Sequence, residues 1–430
     1  MIGIRREDKS RWEARVPLTP DDVRELGSRH GVAFQVQRSD IRVFPDADYA
    51  AAGAELVDEL DSCPVIMGVK EIPVEKLSAG KAYVYFSHTI KGQPANMPAL
   101  RRLLELGCTL IDYERITDDQ GRRLVFFGRY AGLAGMIDTL WAFGQRLRWE
   151  GIDSPLAGIE PAHRYDDLAH FEREIAAVAD AIRQGGLPAQ VCPLVCGFAG
   201  YGQVSQGAQY IYDLLPVEEV PPDRLADLPP RRDVCYKVVF KEEHLVRRRD
   251  GGRFELQEYY QQPERYEADF FRYVPALTLL VNCIYWEPKY PRLITREQFR
   301  RLYADPSPRL RVIGDITCDI DGSLACTTRA TTPDSPVYVY DPDSGATTDG
   351  VAGRGPVVLA VDFLPCELPA DASRSFSQAL RPLVPALDQA DLGKPLEQSG
   401  LPPELQRATI VYRGELTPDY RYLERFVRQG

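Results

Sequence analysis

From Val191 to Leu215 the chain reads VCPLVCGFAGYGQVSQGAQYIYDLL, and the order of residue types there decides the fold class. Val191–Val195 is an apolar run, the stretch to Gly207 is rich in glycine, and AQYIYDLL has the composition of a helix. Strand, glycine-rich turn and helix in that order open a dinucleotide-binding unit. Glycine lets the backbone turn tightly against a pyrophosphate, and the helix N-terminus favours its charge. The fit to G-x-G-x-x-G is partial: Gly200 and Gly202 hold the first two positions, Ser205 holds the third, and Gly207 falls two residues later. Gly200, Gly202, Gln203, Val204 and Ser205 are the candidate cofactor-binding residues of this turn.

Working outward, further apolar runs end in polar residues. Leu279–Val281 leads to Asn282, Leu310–Ile313 to Asp315 and Asp319, and Val357–Val361 to Asp362. This suits the second half of a doubly wound sheet and adds Asn282, Asp315 and Asp362 to the cofactor side. Upstream, Val65–Val69 ends at Lys70-Glu71, Ala82–Phe86 at Ser87-His88, and Thr109–Asp112 at Tyr113-Glu114. Ligands of α/β folds collect beyond the carboxyl ends of strands, so three ionisable strand ends in succession point to a site. Thr19-Pro20 reads as a helix cap with proline at the first helical position, and Gly31 as its stop. Met136, Leu140, Phe143 and Leu147 form one apolar helical stripe, and Leu168 to Arg183 reads as a second helix. Leu214 to Ala276 is longer than a minimal βαβ unit needs, and its Arg247-Arg248-Arg249 run reads as a solvated hairpin tip.

The 430 residues suggest two to three domains, and 44% hydrophobic with 27% charged residues is ordinary for a soluble globular chain. A net charge of −11 repels nucleic acid and anionic membrane in bulk. No apolar run approaches the ~18 residues of a membrane span. The charged opening MIGIRREDKSRWEARV lacks a signal-peptide core, so a cytoplasmic protein is expected. The nine cysteines are scattered, without C-x-x-C. Cys192 and Cys196, about 13 Å apart on a strand, cannot share one ion, and no metal site is expected.

Several stretches carry a family resemblance: RREDK (5–9), WEARVPLTP (12–20), GVKEIP (68–73), FSHTIKGQ (86–93), LIDYE (110–114), DQGRR (119–123) and GRYAG (128–132). HLVR (244–247), PERY (263–266), VNCIYW (281–286), DITCD (315–319) and VDFLP (361–365) continue it nearly end to end. Together they resemble the lysine–2-oxoglutarate reductase/saccharopine dehydrogenase (L-lysine-forming) family, most closely the reductase half of the bifunctional lysine-degrading enzyme. The family is related to alanine dehydrogenase and the nucleotide-binding subunit of transhydrogenase. The resemblance implies an α/β protein of two Rossmann-like domains. A substrate domain of residues 1–135 plus 365–430 would hold an inserted NAD(P)-binding domain of residues 136–364, with the active-site cleft between them.

It implies Lys70 and His88 as the acid–base groups, with Arg15, Glu71, Lys91, Glu114, Arg123 and Phe127 on the substrate side and Asp362 lining the same cleft. It implies condensation of L-lysine with 2-oxoglutarate and reduction of the imine to saccharopine, with NADP(H) expected in preference to NAD(H). Small molecules are the only partners called for, and a homo-oligomer is compatible with this. Where animal members carry two adjacent arginines, this chain has Ala14 before Arg15, which leaves one carboxylate contact open. The half that cleaves saccharopine has no counterpart in these residues, so only the first step is expected.

The chemistry also follows from residue types. Joining an amine to a 2-oxo acid needs groups that titrate near neutrality, and of the five histidines only His88 directly follows an apolar strand. Arginine suits a bidentate grip on carboxylates. Hydride must come from nicotinamide, since no side chain supplies one. For the cofactor's ribose, Glu218, Glu219 and Asp223 lie about 20 residues past the turn, where NAD enzymes place an acid. Arg231, Arg232 or the Arg247–Arg249 run would suit a 2′-phosphate. An alanine dehydrogenase or an opine-forming enzyme with another amine and oxo acid is the alternative.

Overall fold

The computed structural model describes Met1–Arg428. In chain order the strands are β1 (Ile2–Ile4), β2 (Phe34–Gln37), β3 (Glu55–Val57), β4 (Val65–Met67), β5 (Ala82–Tyr85) and β6 (Thr109–Asp112). They continue as β7 (Leu194–Ala199), β8 (Val217–Glu219), β9 (Cys235–Phe240), β10 (Val246–Arg248), β11 (Tyr266–Ala268) and β12 (Leu279–Asn282). The last are β13 (Val312–Asp315), β14 (Val337–Tyr340), β15 (Thr347–Asp349), β16 (Val357–Leu359), β17 (Thr409–Tyr412) and β18 (Glu415–Leu416). Helices α1 (Pro20–His30), α2 (Asp46–Ala51) and α3 (Met97–Glu105) punctuate the first strands; α4 (Gly128–Trp149), α5 (Leu168–Gly185) and α6 (Gln203–Tyr212) follow.

The chain forms two units, Met1–Phe127 together with the stretch from Pro369 onward, and Gly128–Leu368 inserted between them. The crossings fall at 127/128 and 368/369, not at 135/136 and 364/365. The helix read from Met136 already begins at Gly128, and Leu368, past the expected boundary, belongs to the second unit's core.

In the first unit the strand order is β18-β17-β6-β5-β4-β1-β2-β3. β1 to β6 run parallel, and β17 closes the sheet antiparallel to β6. β1, β4, β5 and β6 are buried along their whole length, which is why each reads as a continuous apolar run. The α1 cap forms as the sequence predicts: Thr19 accepts from the Asp22 N–H, and Gly31 ends the helix at φ 69°.

In the second unit the order is β15-β14-β16-β13-β12-β7-β9-β8. The six strands from β16 to β8 are parallel, and β14 and β15 form an antiparallel edge. β10 and β11 pair separately, so the Arg247–Arg249 run opens a long excursion and is not a simple hairpin tip. α4 is buried on more than one stripe: Met136, Ile137, Asp138, Thr139 and Leu140 are all enclosed. It meets α6 backbone to backbone. A Cβ on Gly132 would lie 1.9 Å from the Val204 carbonyl oxygen, and one on Gly207 would lie 2.1 Å from that of Arg129. Gly207 therefore serves helix packing, which explains its place outside the phosphate motif.

Asp138 of α4 forms a buried acidic pair with Glu367. Asp138 Oδ1 accepts from the Ala162 N–H at 2.8 Å, and Glu367 Oε2 sits 3.3 Å from His163 Nδ1. Burial pushes the Glu367 carboxyl up to about 7. Asp138 is also raised, by burial first and the charge of Glu367 second. Burial lowers His163, which is packed inward and not on a surface linker.

Two outcomes follow. Gly132→Ala forces two helices apart and is expected to cost about 2 kcal/mol or more in urea unfolding. Glu367 binds its proton more tightly folded than unfolded, so its contribution to stability is complete below about pH 4.5 and is lost as pH rises to about 7. In Glu367→Gln that fall in the thermal midpoint is expected to flatten.

Candidate active site

Parallel pairing brings the three ionisable strand ends of the first unit to one edge. β4, β5 and β6 are neighbours in register, Met67 opposite Val84 and Tyr85 opposite Asp112. Past the ladder, the Phe86 N–H donates to the Val69 carbonyl at 3.1 Å, which fixes the loop carrying Lys70 and Glu71 beside the loop carrying His88. His88 Nδ1 lies 2.7 Å from Glu71 Oε1. Lys9 approaches the other Glu71 oxygen at 3.6 Å. Burial alone would raise Glu71, but the hydrogen bond and charge of His88, with Lys70 nearby, hold it at about 2. A carboxylate at Nδ1 orients the imidazole and leaves Nε2 to do proton work. His88 has φ 49°, an uncommon conformation for a non-glycine residue, and the Asn96 amide donates to its carbonyl at 3.0 Å. Phe86 stacks on the ring with centroids 6.2 Å apart.

Residues that sequence reasoning did not single out hold this edge. Glu7, just past β1, accepts from the Val69 and Lys70 N–H groups at 2.7 and 3.0 Å. It is buried, and its carboxyl is pushed up to about 7 by that burial against the pull of Arg5. Asp112 accepts from both the Ser87 N–H and hydroxyl, and the Ser87 hydroxyl lies 2.7 Å from that of Thr89. Asp112 also accepts from the Glu114 N–H at 2.8 Å.

Arg15 is buried with Glu13, its Nε donating to Glu13 Oε1 at 2.7 Å, and its guanidinium lies 4.3 Å from the centre of the Phe127 ring. Phe127 stacks in turn on Phe376 at 4.4 Å. Helix Pro369–Leu380 anchors the Arg15 segment: the Val16 and Thr19 N–H groups donate to Ser373 and Ser377. Nothing local signals that contact. Glu114 and Arg123 face each other at 3.8 Å. Lys91 lies exposed on the turn after His88, its N–H donating to Gln93.

In the second unit, the features around the glycine turn fit a dinucleotide. Gly200 sits at φ 98°, and a Cβ there would lie 3.1 Å from the Cys283 carbonyl oxygen. No side chain caps α6, so the first-turn N–H groups of Gln203, Val204 and Ser205 form an anion cradle. Ser205 is buried and accepts from the Gln209 amide at 2.9 Å. Asn282 and Asp315, paired across β12 and β13, are joined by a 2.8 Å hydrogen bond. Both are buried, so they shape the strand ends from beneath. Burial pushes Asp315 up to about 6. Asn282 Oδ1 is enclosed without a hydrogen-bond partner among the described residues. Asp362 is exposed beyond β16.

Among the ribose and 2′-phosphate candidates, Glu219 lines a hollow with Tyr201 and Gln206, beside the glycine turn. Glu218 and Glu219 belong to the sheet-edge strand β8, where Glu219 pairs with Lys237, and Asp223 follows that strand. Arg231 pairs with Glu218 and Asp233, Arg247 with Glu267, and Arg248 with Asp250. Arg232 donates to the Leu187 carbonyl and Arg249 to that of Glu264. Among the described residues, no cluster of three or more His, Cys, Asp or Glu could hold a metal ion, and no helix is long and apolar enough to cross a membrane.

Residues 3–134 match the alanine dehydrogenase/PNT N-terminal domain family. The fold as a whole is similar to a solved L-alanine dehydrogenase, with a TM-score of 0.61 and 18% identity over 99% of both chains. A transhydrogenase from Sinorhizobium meliloti gives 0.58 at 15% identity, over 97% of this chain and 99% of that one. Across 99% of its length the chain is 37% identical to an alpha-aminoadipic semialdehyde synthase of Arabidopsis thaliana and 35% identical to the mitochondrial one of Mus musculus, spanning 41% and 48% of those proteins. It is 30% identical to the saccharopine dehydrogenase [NAD(+), L-lysine-forming] of Emericella nidulans, over 89% of this chain and 90% of that protein. With that match along nearly both full lengths, the chain belongs to the saccharopine dehydrogenase (L-lysine-forming) family.

Proposed function

We propose that the protein joins L-lysine to 2-oxoglutarate and reduces the resulting imine to saccharopine, or runs the reverse. The observation that carries this is the set Lys70, Glu71 and His88, fixed on adjacent parallel strand ends with His88 Nδ1 2.7 Å from Glu71. An amine attacks a ketone only when neutral, and His88 Nε2, oriented by Glu71, takes the proton that the lysine amine must lose. Loss of water from the carbinolamine needs an acid, and Lys70 beside Glu71 supplies or relays that proton. The Arg15–Glu13 pair on the Phe127 face, with Arg123 opposite Glu114, gives the cationic and planar groups that grip substrate carboxylates. Bound nicotinamide supplies the hydride. Gly200, Gly202 and the first turn of α6 would hold its pyrophosphate. NAD(H) and NADP(H) suit the chemistry equally, because they differ only at the adenosine ribose.

The purified chain is expected to oxidise a reduced nicotinamide dinucleotide only when lysine and 2-oxoglutarate are both present. Turnover with ammonia and pyruvate instead would identify an alanine dehydrogenase. No oxidation with either dinucleotide from about pH 6 to 10 would defeat the proposal. His88→Ala and Lys70→Met are each expected to lower kcat by roughly 10²-fold or more, at unchanged cofactor affinity.

Glu71 also links the site to stability. Its folded carboxyl is held at about 2, so the stabilisation is present above its ordinary 4.5 and is lost as pH falls to about 2. Glu71→Gln is expected to be less stable than the wild type at pH 7, with the gap closing in acid melts.

A further inference from the structure

The loop that carries His88 is held in an uncommon shape. His88 at φ 49° and Gly92 at φ 67° both lie in the left-handed region, and the Gly92 N–H closes a turn onto the Thr89 carbonyl at 2.9 Å. A non-glycine residue keeps such a backbone only where its surroundings over-determine it. On one side, Asp112 holds Ser87, the Ser87 hydroxyl meets that of Thr89, and Asn96 holds the His88 carbonyl. None of these bonds reaches Ile90 or Gly92. Those two residues are covered from Pro418–Val427, where one short helical stretch, Pro418–Leu423, runs into a single turn, Glu424–Val427. Tyr420 and Leu423 anchor the stretch in the first unit's core, and Arg115 Nε donates to the Tyr420 hydroxyl at 2.9 Å. The Tyr422 hydroxyl donates to the Ile90 carbonyl, 332 positions away, at 2.6 Å. The Phe426 ring lies against Gly92, where a Cβ would come within 2.6 Å of three ring atoms. Glycine there supplies both the left-handed φ and the space for the ring. Arg101 of α3, the helix that follows the loop, donates from Nη2 to the Val427 carbonyl at 2.7 Å, so loop and helix are tied to the same stretch.

The contact of His88 Nδ1 with Glu71 joins two loops, so its geometry is only as sharp as the looser of them. Glu7 fixes the Glu71 side through the Val69 and Lys70 N–H groups. We propose that Tyr422 and Phe426 are positioning residues that do the same for the other side, clamping the turn after His88 so that its imidazole stays set against Glu71. Neither side chain takes part in proton transfer; both act through the backbone of Ile90 and Gly92. A misplacement of about 1 Å in an acid–base group lowers the rate of a chemical step by up to ~10²-fold, so the clamp bears on turnover more than on binding. That kinetic consequence rests on the proposed reaction, whereas the clamp itself does not.

The test is hydrogen exchange of the full-length chain, read by mass spectrometry on the peptide covering Phe86–Gln93, with steady-state kinetics on lysine, 2-oxoglutarate and NADH or NADPH alongside. Phe426→Ala is expected to speed exchange in that peptide by about tenfold or more and to leave the peptides of β7 and α6 unchanged. It should lower kcat by roughly 10- to 100-fold, with the KM for lysine and the affinity for dinucleotide within about threefold of the wild type. Phe426→Leu, which refills the space against Gly92, should restore most of kcat. Tyr422→Phe removes one hydrogen bond and leaves the packing intact, so it carries the same test at about threefold in kcat should the alanine variant lose its fold. Because the effect passes through His88, Phe426→Ala should cost nothing further in a His88→Ala background. An equal loss in both backgrounds, unchanged exchange, or faster exchange at unchanged kcat each overturns the inference while leaving the proposed reaction intact. Faster exchange in a chain that never turns over lysine and 2-oxoglutarate upholds the clamp and removes the proposed reaction. Unchanged exchange in such a chain overturns both.

Discussion

Parallel pairing is the constraint on which the rest depends, because it obliges every strand of a βαβ series to finish at the same edge. In the first unit, β4, β5 and β6 are consecutive in chain and sheet, so Lys70, His88 and Glu114 arrive side by side although separated in sequence. The second unit repeats the logic, with Gly200, Asn282 and Asp315 following β7 or ending β12 and β13. The residues that bear chemistry need no special folding instruction beyond the apolar runs that precede them.

Those edges are held by buried acids, and each acid solves a local problem. Glu7 satisfies two N–H groups where β4 gives way to the loop of Lys70. Asp112 does the same for Ser87 and Glu114. Burying a carboxylate is costly, and it is tolerated here because the alternative is unpaired backbone donors in a dry environment. Glu71 differs from both: it faces a histidine, and it is the one held well below its ordinary range. A low carboxyl beside an imidazole is the electrostatic signature of a group kept ionised to orient its neighbour.

Much of this was legible in the chain. The glycine turn, the three ionisable strand ends and the α1 caps are local patterns, written within a few residues. What was hidden depends on distance. Ser373 and Ser377 hold the Arg15 segment from more than 350 positions away, and no periodicity announces them. His163 looked like a linker residue because its partner, Glu367, comes from the far end of the same unit.

The glycine contact between α4 and α6 has a mechanical meaning. Side chains between helices act as bearings, since rotamer changes let one cylinder slide over another. At Gly132 and Gly207 there are no bearings, and peptide groups abut directly. The cradle formed by the first turn of α6 is thus keyed to the longest helix of the molecule and shares its rigidity, so any adjustment to an incoming pyrophosphate has to come from the loop of Gly200 to Gly202.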